Sequence, residues 1–160
     1  GTTPFTLAAV IAARTAGALT VGIANNRPSP LLAEANVPIF LDTGPEIIVG
    51  STRMNAGTAQ KAALNMLSSL TMIHLGHIYD GLMVNLRADN AKLRRRALAA
   101  IVHIAACTPC EAEQGLNLSG GRIKPAVLIA RGLTPAEADR QLAASGGNLR
   151  TALAGLVGRG

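Results

Sequence analysis

The sequence has no tryptophan, and Phe5, Phe40 and Tyr79 are its only aromatic residues. Proteins that grip single-stranded nucleic acid stack bases on aromatic side chains, so this poverty excludes nucleic acid as the expected partner despite a net charge of +6. The densest basic run, Arg94-Arg95-Arg96, lies inside the helical pattern AKLRRRALAAIVHIAA, where it reads as a solvated helix face. A phosphorylated small molecule remains as a partner for the positive charge. Cysteine is equally scarce. Cys107 and Cys110 form a lone C-x-x-C with neither a second ligand pair nor a thioredoxin-like context, so no metal site is expected and both read as structural thiols. Two thiols suit a reducing compartment. No apolar run reaches the roughly 18 residues of a membrane span, and no cationic n-region precedes the apolar start. Neither a spanning helix nor a secretory signal is expected, no membrane partner is implied, and the cytoplasm is the expected location. The chain opens on Gly1, not Met, directly into a turn and helix start, which leads us to expect a preceding segment.

What is abundant is aliphatic. Hydrophobic residues make up 49% of the chain, so the core is built from Ala, Leu, Ile, Val and Met, a composition that suits close-packed helices. TTPFTLAAVIAARTAG reads as a helix with Thr3 as N-cap, Pro4 in the first helical position and Gly17 as the stop, apolar enough to be buried against a sheet. The runs 18–25 and 36–42 read as strands covered on both faces, joined by a crossover whose helix Pro28 and Pro30 confine to about 31–35. Helix, strand, crossover and strand imply parallel α/β layering. A long helical pattern follows from Ser51 to about Tyr79, with Gly76 a possible break. A second runs from about Asn90 to Ala106, with Leu93, Ala97, Ile101 and Ile104 on its apolar face.

The C-terminal part repeats itself at an offset of 26 residues, matching TPCEAEQGLNLSGGRIKPAVL (108–128) with TPAEADRQLAASGGNLRTALA (134–154). Each copy opens on T-P-x-E, a capping box with Pro at the first helical position, and turns at Gly-Gly before a second helix. Two helical hairpins are expected, and a small helical region is assigned to 107–160 beside an α/β part at 1–106.

Ligands of parallel sheets bind beyond the carboxyl ends of the strands. The loop DTGPEIIVGST lies there, and its Gly50-Ser51-Thr52 leads into the long helix, whose first amides and dipole favour an anion. Ser51 or Thr52 is either an N-cap or a ligand contact, and one hydroxyl can cap while the other meets a ligand. Glu46, in a loop short of charge, suits a sugar hydroxyl or a transferable proton, with a salt bridge to Arg53 or Lys61 as the alternative. Arg53 and Lys61 stand about two turns apart and can reach one anion. Thr2 and Thr3 offer a second helix start with two hydroxyls. His74 and His77 have no Glu or Cys to complete a metal set and read as core or interface residues.

GPEIIVGSTRMNAGTAQKAALNMLSS closely resembles the G-P-E-x-I-x-G-S-T-R-M-K-A-G-T-A-Q-K signature of the N-acetylmuramic acid 6-phosphate etherases, of the sugar isomerase (SIS) domain superfamily. GTTPF is similar to the tail of their phosphate loop, LTVGIANNRPSPL resembles their strand and following N-x-x-S-P-L turn, and MIHLGHIYDGLMVNLRADNAKLRRRA resembles the segment after the signature. The chain departs from the family at Thr2, Asn55 and Asn85, where the resemblance leads one to expect Arg, Lys and Asp. The resemblance implies a partial SIS-type αβα layer with parallel strands followed by a small helical region. It also implies a homodimer, a phosphorylated amino sugar as partner and no cofactor. The implied activity is that of a lyase releasing D-lactate from N-acetylmuramic acid 6-phosphate in cell-wall amino-sugar recycling. Rival readings are a non-catalytic phosphosugar-binding regulator, like the vertebrate glucokinase regulator, or a sugar-phosphate isomerase or deaminase of the same superfamily. Family members are roughly twice this long, and the glutamates taken as their acid and base precede the resembling region. The implied substrate contacts are Thr2, Thr3, Glu46, Ser51, Thr52, Arg53 and Lys61, with Glu46 the best remaining carboxylate.

Overall fold

The computed structural model describes residues 1–157. Its elements follow as α1 (Pro4–Thr15), β1 (Val21–Ala24), α2 (Pro30–Glu34), β2 (Val37–Phe40), α3 (Asn55–His74), β3 (Ile78–Tyr79), β4 (Leu82–Met83), α4 (Ala91–Ala105), α5 (Pro109–Leu118), α6 (Ile123–Ala130), α7 (Pro135–Ala144) and α8 (Leu149–Val157). The class is α/β with a short parallel sheet and a run of helices after it, as the sequence leads one to expect. The chain forms two compact units, Gly1–Ser68 and Ser69–Gly160.

In the first unit β1 and β2 pair in parallel, from Val21 opposite Val37 to Ala24 opposite Phe40. Thr20 and Asn36 close the entrance to the ladder: the Thr20 hydroxyl donates to Asn36 Oδ1 at 2.8 Å and accepts from the Asn36 amide at 3.0 Å. The crossover helix α2 is capped by Ser29, whose Oγ accepts from the Leu32 amide, and begins at Pro30. It packs so tightly on β1 that a Cβ on Gly22 would stand 2.7 Å from that of Ala35 and 3.0 Å from the Leu31 carbonyl oxygen.

Two expectations fail here. None of the residues of α1 is buried and Phe5 is 83% exposed, although the helix reads as one packed beneath a sheet. Likewise β2 has no fully buried residue, and in β1 only Gly22 and Ala24 are covered. Two strands and one short crossover helix do not present enough apolar surface to cover both faces of the sheet or a twelve-residue helix.

The long helix also differs from expectation at both ends. It begins at Asn55, not Ser51, for a reason that lies in Glu46. At the far end the His77 amide bonds to the Met72 carbonyl and the Gly76 amide to that of Ile73, a Schellman closure with Gly76 at φ 66°, where a Cβ would be strained. Gly17 stops α1 with the same pair of bonds. The chain beyond Gly76 is a hairpin: β3 and β4 are antiparallel across Asp80-Gly81, both at positive φ, the signature of a tight primed turn. Neither His74 nor His77 therefore continues a helical face; the first ends α3 and the second places Nδ1 3.3 Å from Met72 Sδ.

The core of the second unit gathers Ala97, Ile101 and Ile104 of α4 with Leu116, Ile123, Val127, Leu128, Leu142 and Leu149. Helix α4 starts after Asn90, whose Oδ1 accepts from the Leu93 amide at 2.9 Å, and buries the face that its periodicity marks. The four helices after it keep the 26-residue offset, 109 with 135 and 123 with 149. Thr108 and Thr134 each cap a helix while Glu111 and Glu137 reach back to the cap residue, and Gly120-Gly121 and Gly146-Gly147 make equivalent closures. The Thr108 amide and hydroxyl hold the Glu111 carboxyl below its ordinary range. Cys107 and Cys110 are free thiols, and burial pushes that of Cys107 up, away from the reactive thiolate.

Candidate functional site

Asn25 follows the last residue of β1 and organises the carboxyl ends of both strands. Its Nδ2 donates to the Leu41 carbonyl at 3.0 Å and more weakly toward Thr43 Oγ1 at 3.5 Å, while its Oδ1 accepts from Gln60 Nε2 on α3. One half-buried amide thus fixes the exit of β1, the exit of β2 and the first turns of α3.

Between β2 and α3 the chain turns at Gly44 and runs out through Ile47, Ile48 and Val49, all exposed, before returning at Gly50, which has φ 81°. The return is pinned by Glu46. Its Oε2 accepts from the Asn55 amide and its Oε1 from the Ala56 amide, both at 3.0 Å, and Asn55 Nδ2 donates to the Pro45 carbonyl at 3.2 Å. A carboxylate bridging two terminal amides makes charge-assisted bonds and meets the positive end of the helix dipole, which a single hydroxyl cannot match. That is why α3 starts at Asn55 and why Ser51 is not its cap; the Ser51 amide donates instead to the Ile48 carbonyl.

Around this junction lies a cavity of about 250 Å³ lined by Asn25, Asn26, Thr43, Glu46, Gly50 and Thr52 among others. Of the residues singled out by sequence, the structure brings Glu46 and Thr52 together on it. Ser51 is half-buried beside them but does not line it, and Arg53 and Lys61 are exposed and do not line it either. Glu46 forms no ion pair with either cation; its oxygens go to the helix. Thr2 and Thr3 are exposed at the start of α1, where Thr3 occupies the cap position without a side-chain cap bond. The residue before them, Gly1, packs on the turn after β1: its carbonyl accepts from the Leu31 amide at 3.1 Å, and a Cβ on it would meet Ser29 Oγ. Both helix starts therefore stand at the carboxyl end of β1. Asn25, Asn26 and Thr43 escape the sequence reading, although polar residues at the exit of two apolar strands are a readable signal.

No family model matches the chain. Among curated proteins, the N-acetylmuramic acid 6-phosphate etherase of Deinococcus radiodurans is 52% identical over 131 residues, which is 82% of this chain and 43% of the relative. The etherases of Streptomyces coelicolor and Symbiobacterium thermophilum are each 48% identical, over 81% and 80% of this chain and 42% and 43% of their own length. This chain is a homologue of the N-acetylmuramic acid 6-phosphate etherases. It spans less than half the length of the curated relatives that it matches.

For an etherase homologue the lining has a definite chemical character. Asn25, Asn26, Thr43 and Thr52 supply neutral donors and acceptors, and Glu46 supplies the one carboxylate. Such a set can orient hydroxyl and amide groups. A cavity of about 250 Å³ is smaller than the roughly 300–1,000 Å³ typical of a small-molecule site, so it accommodates part of a ligand. Among the described residues no group of three His, Cys, Asp or Glu is placed to hold a metal ion, and no helix is long and apolar enough to cross a membrane.

Proposed function

We propose that this chain carries part of the phosphosugar site of an N-acetylmuramic acid 6-phosphate etherase of SIS type, a carbon–oxygen lyase acting in the cytoplasm in cell-wall amino-sugar recycling. The observation that carries the reading is the cavity at the strand ends, with Glu46 and Thr52 on its wall, in a chain with etherase relatives. In that reaction the sugar opens to its aldehyde, which acidifies the proton on carbon 2. A base removes that proton as the bond from carbon 3 to the lactyl oxygen breaks, and an acid protonates the departing lactate. Water then adds across the double bond to give N-acetylglucosamine 6-phosphate. The residues on this chain contribute recognition: Thr52 and the asparagines meet sugar and phosphate oxygens, and Glu46 holds the helix start that frames them.

Calorimetric titration with N-acetylmuramic acid 6-phosphate tests this, using the chain together with the complementary portion of an etherase relative. Thr52→Val is expected to weaken binding by about 1.5–3 kcal/mol, the range for a hydrogen bond to a charged group, or roughly 10- to 150-fold. Unchanged affinity would reduce Thr52 to a loop residue and remove the cavity from the site.

The same reading includes a homodimer. Met66, Leu70 and Ile73 recur along α3 at i, i+4 and i+7 and are all more than half exposed, and the only buried residue of this twenty-residue helix is Ala56. Apolar stripes of that kind are ordinarily covered, and a second copy would bury the roughly 800 Å² per partner of a stable interface. Sedimentation at micromolar concentration should give twice the monomer mass, and Leu70→Glu should return it to monomer. A monomer throughout would leave the stripe to another partner.

A further inference from the structure

The second unit contains a lysine that the proposed phosphosugar site does not use. Lys124, in the first turn of α6, is only 9% exposed, and its Nζ donates to the Gly147 carbonyl at 2.7 Å. That bond uses one of three ammonium donors. Among the described residues no carboxylate pairs with it, although the ion pairs of this unit engage Arg87, Arg94, Arg122 and Arg150. Buried charges are ordinarily paired, and burial without a counter-charge pulls the pKa of Lys124 down.

Lys124 and Gly147 line a groove of about 420 Å³, also lined by Asn85, Arg87 and Arg122 and by no carboxylate. Arg87 and Arg122 face each other across an antiparallel bridge, and the Ala88 amide bonds to the Gly121 carbonyl at 3.0 Å. Like charges directly opposite one another are unfavourable, so this juxtaposition invites a counter-ion. Each guanidinium has one carboxylate neighbour, Asp89 for Arg87 and Asp139 for Arg122, which leaves donors to spare in a five-donor fork.

The internal repeat supplies a control within the same chain. Twenty-six residues on from Arg122 stands Asn148, whose Oδ1 accepts from the Arg150 and Thr151 amides at 3.0 and 3.2 Å. Twenty-six on from Lys124 stands Arg150, which is paired with Asp80 at 2.6 Å. In the second copy both the helix start and its cation are satisfied from within the chain. In the first copy the helix start has no side-chain cap and the cation has no acid. We propose that the groove at the start of α6, with Lys124 at its base, binds a small oxoanion of the phosphate type. Phosphate is favoured over a monocarboxylate because it carries nearly twice the charge and offers acceptors in several directions to cations arriving from Lys124, Arg87 and Arg122.

The experiment is calorimetric titration of the 160-residue chain with inorganic phosphate at low ionic strength, with acetate as a second arm. One saturable site is expected for phosphate and weaker binding for acetate. Lys124→Met keeps the buried stem and removes the charge, and should weaken phosphate binding about tenfold or more; Arg87→Gln, on an exposed side chain, should weaken it severalfold. Arg94→Gln, at a cation that does not line the groove and is paired with Glu113, should bind phosphate as the parent does, which separates this groove from the general positive charge of the chain. Where Lys124→Met fails to fold, Arg87→Gln decides. Unchanged affinity in Arg87→Gln and Lys124→Met, or no saturation below about 10 mM, would overturn the proposal and leave Lys124 as a tie to the Gly147 carbonyl. Acetate binding tighter than phosphate would overturn the assignment of ligand class.

Discussion

Given N-acetylmuramic acid 6-phosphate, the 160-residue chain by itself is expected to release D-lactate at the uncatalysed rate. Elimination needs one group to take the proton from carbon 2 and another to protonate the leaving oxygen, each typically worth a factor of about 10² to 10⁴. The chain has nine carboxylates, and each already has a partner. Glu34 pairs with Arg14, Asp80 with Arg150, Asp89 with Arg87, Glu113 with Arg94 and Asp139 with Arg122. Glu111 and Glu137 close capping boxes, and Asp42 accepts from the Gly44 amide. Only Glu46 lines the cavity at the strand ends, and both of its oxygens hold α3. A carboxylate committed to two amide bonds cannot swing to the reacting atoms without uncapping the helix that it holds. Lactate release should therefore appear only when the complementary portion of an etherase is supplied, and Glu46→Gln should then slow turnover far less than loss of a base would. Robust release by the isolated chain, abolished by Glu46→Gln, would make Glu46 the principal acid or base and overturn this reading of its role.

What was legible in the sequence follows the range of the interaction. Capping boxes at Thr108 and Thr134, the stop at Gly17 and the buried face of α4 are decided within four or five residues, and all can be read from local pattern. The parallel pairing of β1 and β2 was legible because Pro28 and Pro30 leave room only for a short crossover. The start of α3 was not, because its cap comes from Glu46, nine residues upstream of Asn55, and nothing in the spacing announces a carboxylate returning across a loop. The Asn25 junction joins positions as far apart as Gln60 and shows in sequence only as polarity at a strand exit. The β3–β4 hairpin was lost for another reason: its Asp-Gly turn lies at the end of a long helical apolar pattern, and two-residue strands give no alternation to weigh against it. The exposure of α1 was beyond reach, since an apolar sequence reports what a helix is able to bury and not what is present to bury it.

The largest stability effect is expected inside the helical repeat, at Leu116. Its side chain is fully buried in the cluster that contains Ile101 of α4 and Leu128 of α6. Its neighbour Gly115 sets how near α5 and α6 come: a Cβ there would stand 2.7 Å from the Ala126 carbonyl oxygen, so the backbones are already at contact. Helices at that separation cannot close further over a void. Leu116→Ala should therefore sit in the upper part of the Leu→Ala range, about 3–5 kcal/mol, because little of the cavity collapses. A loss of that size is a large share of the total stability of most domains, roughly 5–15 kcal/mol. The internal repeat provides the comparison that makes the result interpretable. Leu142 is the counterpart of Leu116 at the 26-residue offset and belongs to the same cluster, but it is 9% exposed and borders the groove beside Lys124. Water can reach part of the space left by Leu142→Ala and the neighbouring chain can move into the rest, so its cost should be lower, about 2–3 kcal/mol. Urea unfolding followed by helical circular dichroism measures both. A loss under about 1 kcal/mol for Leu116→Ala would contradict its place at the centre of the core. Equal losses at the two positions would mean that tight α5–α6 contact does not control how the site relaxes, and the gradient of packing from the first copy of the repeat to the second would have to be abandoned.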